Sequence, residues 1–95
     1  MLVKWRPEAR RELWCILDYI GDRNPVAASD LFDEIESATQ ALPQHPYLYR
    51  KGRVSGTREI VVSPNYIVIY RVTTDSIEVI SVLHARQEYP KSNDS

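Results

Sequence analysis

One cysteine, Cys15, is the whole complement of the 95-residue chain. No internal disulfide can brace the protein, so the cytoplasm is the expected compartment. Glycine is nearly as scarce, at three residues, and no low-complexity tract accompanies it, which argues against global disorder. No apolar run approaches the roughly 20 residues a membrane helix requires. A secretory signal is not expected at the start either: Lys4, Trp5 and Arg6 arrive at once and no apolar stretch follows. Neither sign of charge dominates, since twelve Lys and Arg face thirteen Asp and Glu. The strong overall basicity that general nucleic-acid binding draws on is therefore missing. Cys15, His45 and His84 do not fall at metal-ligand spacing. The sequence holds no Gly-rich phosphate loop, no G-x-S-x-G elbow and no H-E-x-x-H pair. Neither metal nor cofactor is expected.

What is present reads as one small domain over residues 1–95, with a flexible tail at 91–95. Charge is unevenly spread. Residues 7–42 carry eight acids against three arginines, whereas residues 43–74 carry Arg50, Lys51, Arg53, Arg58 and Arg71 against Glu59 alone. An acidic front and a basic middle suggest an anionic partner for the middle. A solvated basic loop would produce the same count.

Leu2, Val3, Lys4 and Trp5 read as a short strand. Pro7 then occupies a first-turn position and Glu8 suits the helix dipole. Ala9, Leu13, Ile16, Leu17 and Ile20 form one helical stripe that ends at Gly21. Cys15, within this pattern, is expected to be a small buried residue. Asn24 and Pro25 mark the cap and first turn of a second helix. Its stripe is Ala28, Leu31, Phe32, Ile35, Ala38 and Leu42, its outer face carries Asp30, Asp33, Glu34 and Glu36, and Pro43 and Pro46 close it. So short a link makes the two helices an antiparallel hairpin. Residues 43–56 read as loop, with one short strand near Arg53 and Val54. Three runs rich in Ile, Val and Tyr follow, at 58–62, 66–72 and 77–83. The separators at 63–65 and 73–76 are short enough to make an antiparallel meander. In the middle run Tyr66, Val68, Tyr70 and Val72 share one face, and Ile67 and Ile69 the other. One face must meet the helices and the other the tail, another chain or a ligand. The expected fold is thus α+β: an N-terminal strand, then an antiparallel helical hairpin packed on one face of a small sheet that contains the meander. An open sheet edge invites strand addition by a partner. The tyrosines and tryptophans read mainly as packing residues, with Trp14 partly exposed beside its stripe.

An opening strand ending W-x-P-E-A-R, a helix ending L-D-Y-I, then G-R-V-x-G-T-R-E, Y-I-V-I-Y-R-V and V-L-H-A-R together resemble the RelE/ParE family of toxins from bacterial type II toxin–antitoxin modules. The resemblance runs from Leu2 to about Pro90. It implies growth arrest as the cellular effect and a cognate antitoxin as partner, whose C-terminal segment wraps the toxin. It also implies one of two mechanisms. RelE-like members cleave mRNA, usually in the ribosome; ParE-like members poison DNA gyrase.

The two branches place different demands on the residues. RNA cleavage needs a base for the ribose 2′-hydroxyl, cations around the charged phosphorane and an acid for the leaving oxygen. The RelE-like pattern Y-R-x-V-Y has an arginine after the tyrosine of the middle strand; here Tyr66 is followed by Ile67. The arginine that follows the last strand in that branch falls at Ala85 or, shifted by one, at Arg86. A nuclease would have to use His84 as acid or base, a role open to imidazole in general, with Arg58 and Arg86 as phosphate-handling groups. Alternatively His84 caps the strand and Arg86 pairs with an acid, while Arg58 makes a structural salt bridge. The gyrase reading assigns Arg50, Lys51, Arg53, Arg58, His84, Arg86 and Tyr89 to contacts with target or antitoxin. Arg53, Arg58 and Arg86 are expected to group along one rim of the sheet. The leading expectation is ParE-like gyrase inhibition. The mRNA endonuclease is the alternative, and an inactive relic that binds only antitoxin is a third possibility.

Overall fold

A computed structural model of the chain describes residues 1–62 and 65–90. Ser63 and Pro64 of the first hairpin link, and the tail at 91–95, lie outside the described residues. The elements in order are β1 (Leu2–Trp5), α1 (Pro7–Gly21), α2 (Pro25–Ala41), β2 (Arg50–Lys51), β3 (Arg58–Val62), β4 (Tyr66–Val72) and β5 (Ser76–His84). The five strands form one sheet in the order β1-β5-β4-β3-β2. The meander β3-β4-β5 is antiparallel, and β1 joins its far edge parallel to β5, with Val3 opposite Ile77 and Trp5 opposite Val79.

Local chemistry accounts for the helix ends. Pro7 sits in the first turn of α1, where its missing N–H costs nothing. The Asn24 side chain accepts a hydrogen bond from the Ala27 N–H at 3.1 Å, capping α2 as its sequence implies. At the end of α1, Arg23 donates to the Tyr19 carbonyl at 2.8 Å and lies over the Tyr19 ring. The inner stripes of both helices, with Leu13, Leu17, Leu31 and Ile35, meet Ile60, Val62, Val68, Tyr70, Ile77, Val79 and Val82 from the sheet. Each such buried side chain contributes roughly 2 kcal/mol of apolar burial. Tyr70 is fully buried, and its hydroxyl reaches the Pro46 carbonyl at 2.7 Å.

Two local expectations are corrected. Cys15 is exposed, because it falls between the buried Leu13 and Leu17 on the side of α1 turned away from the sheet. The short strand of the loop is Arg50–Lys51, not residues 53–54. The Arg53 N–H turns to the Glu59 carboxylate at 3.0 Å instead of to a neighbouring strand.

A bulge in β5 explains a pattern that simple alternation does not. Ile69 is opposite Ser81 and Tyr70 is opposite Val79, so Ile80 is the extra residue. Val79 and Val82, three apart, therefore both face the helices, while Ile80 and Leu83 face the other way. On that second face Ile67, Ile69, Ile80 and Leu83 form a small buried cluster, and Tyr89 from the tail packs against it. Tyr89 thus covers part of the sheet face that the helices leave free.

Candidate functional site: charge on the helix-free face and at the sheet ends

Glu59 lies on β3 beside this second cluster and is only 3% exposed. Its Oε1 accepts from Arg50 Nη2 at 3.1 Å and from Arg53 Nη2 at 3.2 Å; its Oε2 accepts from Arg53 Nε at 2.9 Å and from the Arg53 N–H at 3.0 Å. The hydrogen bonds from the Arg53 side chain hold the Glu59 carboxyl below the usual carboxylate range, against the opposing effect of burial. The same pairing raises Arg53 further above its already high value. A carboxylate has about four acceptor positions, and all four are occupied. Glu59 therefore has no lone pair free to accept a substrate proton, and the Arg53 fork is committed to it.

The other predicted residues are distributed by the strand register. Arg58 faces the helix side of the sheet, where Nη1 donates to the carbonyls of Tyr49 at 2.7 Å and Tyr47 at 3.3 Å. Among the described residues it makes no salt bridge, contrary to the structural alternative read from sequence. His84 ends β5 opposite Tyr66, with its ring edge-on to the tyrosine at 5.3 Å. Its Nδ1 accepts the Arg86 N–H at 3.1 Å, so the neutral imidazole carries its proton on Nε2. The Arg86 side chain is exposed and makes no ion pair among the described residues. Lys51 is also exposed and unpaired among them. Tyr89 is half-buried against the second cluster.

Arg58 is opposite Tyr70, whereas His84 is opposite Tyr66, four residues along β4 and on its other side. Strand spacing puts their backbones roughly 15 Å apart. The fold does not bring Arg58 to His84, and Arg53, Arg58 and Arg86 do not form one group: Arg53 lies on the helix-free face, Arg58 on the helix side and Arg86 past the end of β5. What the fold does assemble is Arg50, Arg53 and Glu59. The one signal for this in the sequence was that Glu59 is the lone acid among five basic residues.

A second arrangement, unforeseen in the sequence, lies at the β5 edge. β1 stops at Trp5, and after the Arg6 N–H donates to the Val79 carbonyl at 3.0 Å no strand among the described residues flanks β5 on that side. Glu12 of α1 fills the gap: its Oε1 accepts from the Ser81 hydroxyl at 2.9 Å and from the Val82 N–H at 3.1 Å. On the outer side of the helices Trp14 stacks on Phe32 at 6.1 Å and remains 53% exposed. Among the described residues no three His, Cys, Asp or Glu side chains cluster as metal ligands would, and no helix is long and apolar enough to cross a membrane.

Residues 3–89 match the family model described as the ParE toxin of the type II toxin–antitoxin system parDE. Y4kP of Sinorhizobium fredii is 37% identical over 90 residues, covering 94% of this chain and 93% of that protein. The toxin RelE2 of Caulobacter vibrioides is 32% identical, covering 87% of this chain and 93% of its own. Among solved structures, a chain of the chromosomal ParDE toxin–antitoxin system from P. aeruginosa aligns with a TM-score of 0.78 at 22% identity, covering 88% of this chain and 95% of that one. A YoeB/ParE toxin from Agrobacterium tumefaciens aligns with a TM-score of 0.63 at 15% identity, covering 88% and 98%. These last two likenesses concern the fold.

Proposed function

The chain belongs to the ParE toxin family of type II toxin–antitoxin systems, and from that membership we propose that it arrests growth in the cytoplasm by inhibiting DNA gyrase and is neutralised by a cognate antitoxin. The observation that carries the gyrase reading is the state of the helix-free sheet face. A nuclease centre there would need free cations to hold the phosphorane and a carboxylate or imidazole with an open position to move protons. The centre of this face is instead the apolar set Ile67, Ile69, Ile80 and Leu83. Glu59, opposite Ile69 on this face, is saturated by Arg50 and Arg53. Gyrase inhibition by contact requires no such chemistry. It requires exposed anchors, and arginine and aromatic side chains are the types that most often serve. Arg86, Lys51 and Trp14 are exposed in this sense.

The test uses purified chain, gyrase and relaxed plasmid. Supercoiling should stop, or cleaved DNA should accumulate, at stoichiometric excess of the chain. Undiminished supercoiling together with codon-positioned cuts in cellular mRNA after induction would replace the proposal with an endonuclease. Undiminished supercoiling with no growth arrest would leave a chain that only binds antitoxin.

A further inference from the structure

Beside the turn that joins β2 to β3 is a cavity of about 390 Å³. Lys51 and Arg58 stand on its wall and are cross-strand partners in the β2–β3 ladder. Directly opposed residues project to the same face of a sheet, and two like charges so placed oppose folding. A carboxylate between them would remove that cost, yet none among the described residues lines the cavity; Glu59, the nearest in sequence, is spent on Arg50 and Arg53.

The remaining lining consists of groups suited to an anion. Arg58 is fixed by the two carbonyls that Nη1 binds and by the Tyr47 ring 5.0 Å from its Cζ. Its Nη2 and Nε take no acceptor among the described residues, which leaves part of the guanidinium fork free. The turn itself is locked: the Gly52 N–H donates to the Thr57 carbonyl at 2.8 Å, and the Thr57 N–H and hydroxyl both reach the Val54 carbonyl. A Cβ on Gly52 would collide with Thr57, so only glycine permits this closure. Gly56 has φ of 81°, and the N–H groups of Ser55 and Gly56 have no acceptor among the described residues. Successive free N–H groups in a turn make an anion-binding concavity. Tyr47 is 64% exposed at the rim and can stack on a base with the part of its ring that Arg58 leaves open.

We propose that this cavity is a phosphate site, which takes the phosphate group of a nucleotide or of a nucleic-acid chain between Lys51 and Arg58, with the attached base on Tyr47. The site differs from a strand–loop–helix phosphate motif in that a hairpin turn supplies the amides and cross-strand cations supply the charge. It does not depend on whether gyrase is the target.

The ¹⁵N-labelled full chain, titrated with inorganic phosphate, with adenosine monophosphate and with acetate at matched ionic strength, tests it by amide chemical shift. Phosphate should move the Ser55 and Gly56 amides and the Arg58 Nε–H saturably, and acetate should not. Lys51→Glu, at an exposed position whose unchanged remaining spectrum verifies the fold, should weaken phosphate binding by about tenfold or more. Tighter binding of adenosine monophosphate than of phosphate, with shifts in the Tyr47 ring, assigns the site to nucleotides or nucleic acid. Equal affinity for the two overturns the base contact on Tyr47 and with it the nucleotide assignment. Shifts that fail to saturate, that acetate reproduces or that survive Lys51→Glu unchanged overturn the proposal.

Discussion

Glu59 shows how a single buried side chain can decide what a surface does. Its four accepted hydrogen bonds neutralise two arginines that, counted in the sequence, look available for an anionic partner. Replacing it with glutamine keeps the shape but removes the charge, and leaves Arg53 and Arg50 facing an amide. Both arginines have partial access to solvent, so the cost is expected near 2 kcal/mol, below that of a fully buried broken pair. Urea unfolding at neutral pH measures it. The pH dependence has a definite sign. Because the folded carboxyl titrates below its unfolded value of about 4.3, its contribution is complete above that value and is lost as pH falls through the folded one. Wild-type stability should therefore drop more steeply on the acid side than that of Glu59→Gln, and the two curves should converge at low pH. Parallel curves would count against the pairing as a source of stability.

Among the elements, β5 carries the largest departure from a simple pattern. Its bulge at Ile80 reassigns the faces of the residues after Ile80, and its edge beyond β1 depends on one carboxylate from α1. Unpaired strand edges recruit other chains, and Glu12 occupies this one. Glu12→Ala should release the Val82 N–H, with amide exchange there at least tenfold faster than in wild type while the Val68 amide in β4 keeps its protection. Equal protection of Val82 in both proteins would mean that something other than Glu12 closes the edge. The helical hairpin, by contrast, follows from its own sequence: the Asn24 cap, the proline at each helix start and the two apolar stripes act within a few residues of one another. Asn24→Ala should cost about 1 kcal/mol, measured as a lower thermal midpoint.

For the molecule as a whole, the expected interaction surface can be separated from the scaffold. Arg86 is exposed, and its side chain makes no ion pair among the described residues. Arg86→Ala should leave unfolding free energy within about 0.5 kcal/mol of wild type but, under the proposed gyrase reading, raise the concentration needed for half-inhibition of gyrase severalfold. A variant that inhibits as well as wild type would remove Arg86 from the contact surface. Core truncations such as Leu13→Ala should instead lower stability by about 3 kcal/mol and lose activity only through the fraction unfolded.

Helices, hairpins and layer order were open to reading in the linear chain because they rest on short-range physics: caps, prolines, periodicity and link length act between residues that are neighbours in any conformation. The burial of Tyr70 and the exposure of Trp14 followed from the same patterns, whereas the pattern left open whether the tail, another chain or a ligand meets the face of Ile67 and Ile69, where Tyr89 packs. Which charges meet was another matter. Glu59 reaches Arg50 and Arg53 because a turn closes on Gly52, Glu12 reaches Val82 across 70 positions of chain, and Arg58 is parted from His84 by strand register. Those encounters are set by how the sheet pairs and where it bulges. A difference of one residue in pairing sends a side chain to the opposite face, so the electrostatics of the surface were determined only once the strands had been placed.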